Sequence, residues 1–251
     1  MKKNEDASSE LADAIIRDIA ALPEDSMRQG SLGRRLLSLS PEDTAYFLDA
    51  LYKKTHAPAR MARSALIDPE GLKKALGPQK YREVYLACLR LGMLKVSRLF
   101  TDLRPLRTGL AGYDKEEEAK MEFITLGQRR ALSKSGVKDT LDRLLSDPDP
   151  MVIGNILNNP RITELDVLKI ASKRPNSHRI LKLLACHRRW SKRYDVRKAI
   201  ALNPYTQPRI AIAILEELLT QDLRLVSSDN TVHPQVRHAA KEILSGRPSH
   251  R

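Results

Sequence analysis

The stretch VLKIASKRPNSHRILKLLACHRRWSKRYDVRKAIALNP, residues 167–204, decides the fold of this chain. Its apolar residues recur every three or four positions, the spacing that places them on one face of a helix. Ser177 stands where it can cap a helix, and Asn203-Pro204 stands where a helix must end. The same stretch contains the protein's only Trp and eleven basic residues, against the single acid Asp195. It is therefore predicted to be helical and strongly cationic.

The end of this pattern has a second copy 44 residues earlier in the chain. A threonine follows each copy, Thr163 or Thr206, and opens a predicted apolar helix. Short helices with a fixed stop signal and a period near 40 are typical of stacked helical repeats, because a two-helix unit cannot bury its apolar face alone. Chance similarity within a helical bundle is the alternative. The matching positions are Val152 with Val196, Ile156 with Ile200, Asn159 with Asn203, and Pro160 with Pro204.

The rest of the chain is also predicted to be helical. A hydrophobic content of 41% with only 4% aromatic residues favours helices over sheets. Ser40 and Asp68 are predicted N-caps, Gly77-Pro78 a stop signal, and Thr125 with Gln128 a capping box. We expect a helical N-terminal region over residues 1–104, a linker or exposed loop over 105–121, and a helical repeat domain over 122–251.

Two segments carry a resemblance to known proteins. LLSDPDPMVIGNILNNPRITELDVLKIASKRP (144–175) and YDVRKAIALNPYTQPRIAIAILEELL (194–219) resemble the helical repeats of bacterial HEAT-like and leucine-rich-repeat-variant proteins. The resemblance covers about residues 122–245 and implies a curved α-solenoid that binds partners and catalyses no reaction. The unit here is longer than that of the variant, and the iron–sulfur cysteine cluster of some variant proteins is missing. The first 120 residues carry no such resemblance.

Motifs for catalysis, cofactors or metals are missing from the sequence. The six histidines form no HExxH pattern, no CxxC pair occurs, and no nucleophile elbow is found. Gly30–Arg35, GSLGRR, is interpreted as a glycine-spaced loop that lacks the Gly-Lys-Ser/Thr ending of a phosphate-binding loop. We therefore expect a non-enzyme without cofactor or metal. The start of the chain lacks a signal peptide and no apolar run is long enough to span a bilayer, so we expect a cytoplasmic protein.

The positive charge is concentrated in the second half of the chain. Residues 1–120 contain 21 Lys and Arg against 18 Asp and Glu, whereas residues 121–251 contain 23 against 13. If consecutive helices align their cations, the result is one positive surface with aromatic residues for stacking. The predicted surface consists of Lys169, Lys173, Arg179, Lys182, Arg188, Arg189, Trp190, Lys192, Arg193, Tyr194, Arg197 and Lys198.

Two kinds of partner suit such a surface. The first is an acidic protein, for which the chain would act as a scaffold or adaptor. The second is nucleic acid, whose phosphates the Lys and Arg rows would neutralise. A solvated basic face without a specific partner is the third interpretation. For Trp190 alone, packing at a helix end is favoured over a stacking role. The oligomeric state is left open by the sequence.

Overall fold

A computed structural model of the chain describes residues 12–108 and 124–247. All regular structure in these two ranges is helical, which confirms the all-α prediction. The described residues form two compact units. The first contains the residues up to Leu103 together with Ile212–Glu217, and the second contains Arg104–Ala211 and the residues from Leu218 onward. No described helix is long and apolar enough to cross a membrane.

The predicted linker is only partly visible. Residues 105–108 are not helical, and residues 109–121 lie outside the described ranges. Residues 212–217 belong to the first unit, although they follow most of the second unit in sequence. The predicted division into consecutive segments places them in the repeat domain instead.

Among the described residues, the first unit contains six helices, a short 3-10 turn and the helical residues 212–215. Its apolar core includes Ile16, Leu32, Leu48 and Leu72, all nearly or fully buried. The elements are α1 (12–20), α2 (Asp25–Ser38), α3 (Pro41–Lys53), α4 (Ala57–Ser64), α5 (Pro69–Arg90), α6 (Leu94–Ser97) and the 3-10 turn Arg98–Phe100.

Side chains predicted to start and stop these helices do so. The Ser40 hydroxyl accepts from the Asp43 N–H at 3.0 Å, and the Asp68 carboxylate accepts from the Glu70 N–H at 3.2 Å. Gly77 has a φ of 73°, a value that favours glycine, and it interrupts α5 at the predicted stop signal. Local chemistry therefore sets the limits of α3 and the position of the break in α5.

The interpretation of GSLGRR as a loop is wrong. Gly30–Arg35 lies inside α2, whose buried residues include Leu32 and Leu36. Gly33 is needed for close packing, because a Cβ at this position would stand 2.5 Å from the Cβ of Ala75 in α5. Gly33 reflects a close approach of α2 to α5, and the segment is helical, so it does not provide a phosphate-binding loop.

The second unit contains short helices separated by connections of similar length. In chain order they are α7 (Leu126–Leu132), α8 (Lys138–Leu144), α9 (Pro150–Leu157), α10 (Glu164–Ser172), α11 (His178–Cys186), the 3-10 turn Trp190–Lys192, α12 (Tyr194–Leu202), α13 (Pro208–Leu215), α14 (Thr220–Ser228) and α15 (Pro234–Gly246). Of α13, only residues 208–211 belong to this unit.

Most of the predicted caps in this unit are present. Capping boxes form at Thr125 with Gln128 and at Thr163 with Asp166, and Ser177 caps α11. Asp149 also caps α9. Thr206 is the exception, because its hydroxyl donates to the Ile200 carbonyl at 2.6 Å and so closes the preceding turn.

Several helices of the second unit pack against the next helix but one, in addition to contacts between consecutive helices such as α14 and α15. Contacts with the next helix but one join α7 to α9, α9 to α11, α10 to α12, and α12 to α14. The residues that face inward are aliphatic, for example Ile153, Ile156, Ile170, Leu181 and Ile200. Consequently, connections that are two helices apart in sequence come close together in space.

Candidate partner-binding surface

Four connections of the second unit contain the same turn, built on an Asp or Asn side chain. In each turn, Oδ1 accepts from the backbone N–H two residues further on, at 2.8–3.1 Å. Such a hydrogen bond mimics a backbone turn and ends the helix before it. The turns are formed by Asp147, Asn159, Asn203 and Asp229, each nine positions after the first residue of the preceding helix.

The two Asn residues of the sequence repeat also tie neighbouring connections together. Asn159 Nδ2 donates to the Ser135 carbonyl at 2.8 Å. Asn203 Nδ2 donates to the carbonyls of Ala171 and Lys173 at 2.8 and 3.1 Å. The 44-residue match therefore corresponds to one local structure: an Asn that ends its own helix and holds the end of an earlier one.

These contacts sort the connections into two sets, which we call edges. The basic edge consists of connections 133–137, 158–163 and 187–193, which are joined by the Asn159 hydrogen bond and by a hydrogen bond from Trp190 Nε1 to the Leu157 carbonyl at 2.8 Å. The second set, the balanced edge, consists of connections 145–149, 173–177 and 203–207. Lys173 Nζ joins the first two of these by donating to the Ser146 carbonyl at 2.7 Å.

The basic edge carries six cations and no carboxylate within its three connections. All six side chains are exposed. Arg193 lies 3.5 Å from Glu164 at the start of α10, whereas the other five form no ion pair with any described residue. Because exposed pairs such as Arg193–Glu164 are weak, most of this charge is available to a partner. The cations are Lys134, Arg161, Arg188, Arg189, Lys192 and Arg193.

The third connection of the basic edge is held in place by His187 and Trp190. His187 Nδ1 accepts from the backbone N–H groups of Arg189 and Trp190 at 3.2 and 3.4 Å. Burial, together with the nearby Arg189 charge, lowers the pKa of His187, which keeps the imidazole neutral and able to accept. The indole of Trp190 is 1% exposed and anchors the connection to α9.

Trp190 therefore does not belong to the candidate surface. Its ring is buried against the protein and its N–H is bonded internally, so it cannot stack on a nucleic-acid base. It instead orients a neighbour, because the Arg189 guanidinium carbon lies 4.1 Å from the centroid of the Trp190 ring. A guanidinium stacked on an indole keeps its N–H edge free for a planar anion.

The three predicted residues on α12 are engaged within the protein. The Tyr194 hydroxyl donates to the Asp222 carboxylate and accepts from the Leu219 N–H at 3.0 Å. Lys198 Nζ lies 2.8 Å from the same carboxylate. Arg197 donates to the Lys192 carbonyl at 2.7 Å. These contacts connect α12 to α14 and to the basic edge, so we assign the three residues a supporting role.

Hydrogen bonds from Lys198 and then Tyr194 lower the pKa of Asp222, although burial opposes the shift. The same contact raises the pKa of Lys198. Asp222 therefore remains an anion, and its charge offsets that of Lys198 behind the surface.

The remaining four predicted residues are not on the basic edge. Lys173 belongs to the balanced edge through its hydrogen bond to Ser146. Lys169 is exposed on α10, and Arg179 is exposed on α11 with Lys182 half-buried beside it. The structure therefore brings together four of the twelve predicted residues as exposed cations of one edge: Arg188, Arg189, Lys192 and Arg193.

Two cations of this edge were missed by the sequence reasoning. Lys134 and Arg161 are isolated in sequence, and neither stands on a helix face with other basic residues. Asn159 brings their connections together, and Arg161 Nε lies beside Gly136, 3.8 Å from the point that a Cβ on this glycine would occupy. The available signal was the Asn-Pro-Arg sequence, in which a predicted turn residue directly precedes the cation.

The described residues contain no cluster of three or more His, Cys, Asp or Glu side chains that could hold a metal. Comparison with family models, curated proteins and solved structures yields no match to this chain. The HEAT-like resemblance therefore stays a prediction.

Proposed function

We propose that this chain is a non-enzymatic helical-repeat scaffold that binds an acidic protein partner through the basic edge. The observation that carries the proposal is the convergence of six exposed cations from three separate connections without a carboxylate among them. A dense field of one sign attracts the opposite charge and gives specificity for it.

The stacked, solenoid-like arrangement of the second unit is part of this proposal. It is supported by the packing of four helices against the next but one, α7 on α9, α9 on α11, α10 on α12 and α12 on α14, and by the turn that recurs at Asn159 and Asn203. Stacking of this kind aligns every second connection along one edge. A partner could then contact several connections at once.

Rigidity also supports a binding role. His187 and Trp190 fix the connection that carries four of the six cations, and stacking on Trp190 orients Arg189. A cation held in place before binding loses less side-chain entropy when a carboxylate arrives. We therefore expect Arg189 to contribute more than Arg188 or Lys192.

Duplex nucleic acid is the second candidate. Phosphate contacts need cations and no aromatic platform, so the burial of Trp190 does not weigh against a duplex. It does weigh against base stacking by single strands at this edge, since the only aromatic residue of its connections is buried. The two candidate partners can be distinguished by whether an acidic peptide or a DNA duplex binds more tightly.

The test measures binding of the full chain by fluorescence anisotropy, with a labelled Asp/Glu-rich peptide and with a short mixed-sequence DNA duplex. The variant Arg188→Gln/Arg189→Gln/Lys192→Gln removes three charges from the basic edge. Its matched control, Arg143→Gln/Arg224→Gln/Lys241→Gln, removes three exposed charges elsewhere in the second unit.

We expect the peptide to bind, and the edge variant to weaken it at least about tenfold while the control leaves it within about twofold. Tighter binding of the duplex, with affinity falling steeply between about 50 and 200 mM salt, would favour the second candidate. An equal loss in both variants would show that only net charge matters and would overturn the basic edge as a site.

A further inference from the structure

A groove of about 560 Å³ lies in the first unit, and none of its lining residues belongs to the proposed partner surface. It runs along α5 on both sides of the break at Gly77, and residues 100 and 102 close its other side. Cavities of roughly 300–1,000 Å³ are typical of small-molecule sites. Its size therefore suits a small ligand.

One wall of the groove is aromatic and fixed. The rings of Tyr81 and Phe100 meet edge to face with centroids 5.0 Å apart, and the Tyr81 hydroxyl donates to the Leu99 carbonyl at 3.3 Å. Tyr85 lies one helical turn further along and is half-buried beside the groove. Three neighbouring rings, of which Tyr85 is the most accessible, offer a surface against which a planar ring can pack.

One cation of the groove is paired within the protein, whereas two others are available to a ligand. Lys73 forms an ion pair with Asp102, and its Nζ lies 5.6 Å from the centroid of the Tyr81 ring. Lys74 and Arg82 are exposed and form no ion pair with any described residue. They line the same groove from opposite sides of the break at Gly77, so we expect both long side chains to reach one anion bound there.

The groove has fewer available carboxylates than available cations. Lys73 already neutralises Asp102, which leaves Glu70, exposed at the first turn of α5. Two uncompensated cations therefore face one uncompensated carboxylate, and Arg82 is on the far side of the break in α5 from that carboxylate. This balance favours an anion over a cation near Arg82.

We propose that this groove binds a small planar aromatic anion, such as an aromatic carboxylate or phosphate. Its ring packs against Tyr85 and Phe100, and its acidic group accepts hydrogen bonds from Arg82 and Lys74. Charge complementarity and the aromatic wall together select such a ligand, since either feature alone would suit many solutes. This site is independent of the basic edge and of the proposed scaffold role.

The test uses ligand-observed NMR on the full chain with three probes: 2-naphthoate, its neutral isostere naphthalene-2-carboxamide, and the non-aromatic anion cyclohexanecarboxylate. The variants are Arg82→Gln, Lys74→Gln and Tyr85→Ala. Arg34→Gln is the matched control, because Arg34 is an exposed cation of α2 outside the groove. The triple variant of the basic edge reports whether the probe binds there instead.

We expect 2-naphthoate to bind more tightly than either other probe, and Arg82→Gln to weaken it about tenfold, the effect of one hydrogen bond to a charged group. Tyr85→Ala should weaken it roughly threefold to tenfold. Arg34→Gln and the basic-edge triple variant should leave binding unchanged.

Equal binding of the carboxamide, or unchanged binding in both Arg82→Gln and Lys74→Gln, would overturn the proposal. Loss of binding in the basic-edge variant would also overturn it. Arg82 and Lys74 are exposed, so these two variants remain informative even where Tyr85→Ala lowers stability.

Discussion

The two edges of the second unit are built with the same turn but carry different charge. Asn159 on the basic edge and Asn203 on the balanced edge each close their own turn and donate to an earlier part of the chain. The balanced edge carries two acids and two bases, and each is bonded to the protein: Asp147 to Arg129, Asp149 to Arg130, Lys173 to the Ser146 carbonyl and Arg174 to the Leu202 carbonyl. The fold thus forms without a surplus of cations at its connections, so the surplus on the basic edge calls for a functional explanation.

Among the changes that test this difference between the edges, Trp190→Ala should lower the free energy of unfolding the most. The change removes a fully buried indole and its hydrogen bond to Leu157, and we expect a loss of about 3–5 kcal/mol in the free energy of unfolding. Chemical denaturation measures it. A loss below about 1 kcal/mol would mean that the basic edge is not anchored as described. Tyr205→Ala, at a half-buried position of the balanced edge, is the matched control and should cost clearly less.

The next largest effect should come from Asp222→Asn, which removes the charge that holds Tyr194 and Lys198 behind the basic edge. Hydrogen bonds to a charged group are worth about 1.5–3 kcal/mol, so we expect a loss of about 2 kcal/mol near neutral pH.

The pH dependence of this loss has a defined sign. Because the contacts lower the pKa of Asp222 below its ordinary value of 3.8, its contribution is present above pH 3.8 and is lost as the pH falls through the lowered pKa. The difference in unfolding free energy between the wild type and Asp222→Asn should therefore shrink below pH 3.8. A difference that stays constant from neutral to acid pH would contradict the assigned pairing.

Much of the helical framework could be predicted from the sequence, because its signals are local. Caps such as Ser40, Thr125 and Thr163 bond backbone groups two or three residues away, so the sequence contains both partners. The Asn-Pro repeat was equally visible, since Asn159 and Asn203 act first on their own turns. Helix α2 was missed because Gly33 reflects a contact with Ala75 that is distant in sequence.

The basic edge could be predicted only in part for the same reason. Arg188, Arg189, Lys192 and Arg193 are adjacent in sequence, and the cluster was recognised. Lys134 and Arg161 join it through hydrogen bonds between connections, which no helical period encodes. The burial of Trp190 depends on the Leu157 carbonyl 33 positions earlier, so its exposure could not be judged from its basic neighbours.

The shared turn itself is tested by Asn203→Ala and Asn159→Ala. Each change leaves at least one buried or partly buried carbonyl without this donor, which costs about 1–3 kcal/mol. Asn203 should be the more costly of the two, because it bonds two carbonyls whereas Asn159 bonds one. Thermal and chemical unfolding of the two variants give the comparison. If only one of them lowers stability, the two edges do not share a framework.

The smallest effects should come from the cations of the basic edge, taken one at a time. Arg188→Gln and Lys192→Gln should change the free energy of unfolding by less than about 0.5 kcal/mol, because neither side chain forms an ion pair with a described residue. Arg189→Gln should cost slightly more, about 0.5–1 kcal/mol, since it loses the stacking on Trp190. Chemical denaturation with closely spaced points resolves differences of this size.

Substitutions at these positions should weaken partner binding while changing the stability of the fold very little. Removing one of several neighbouring cations relieves their repulsion and so favours the folded state. A small gain in the free energy of unfolding of the Arg188 or Lys192 variant would therefore agree with a surface arranged for a partner. A loss above about 1 kcal/mol in either variant would mean that these charges support the fold. The contrast with the bonded charges of the balanced edge would then no longer point to a function.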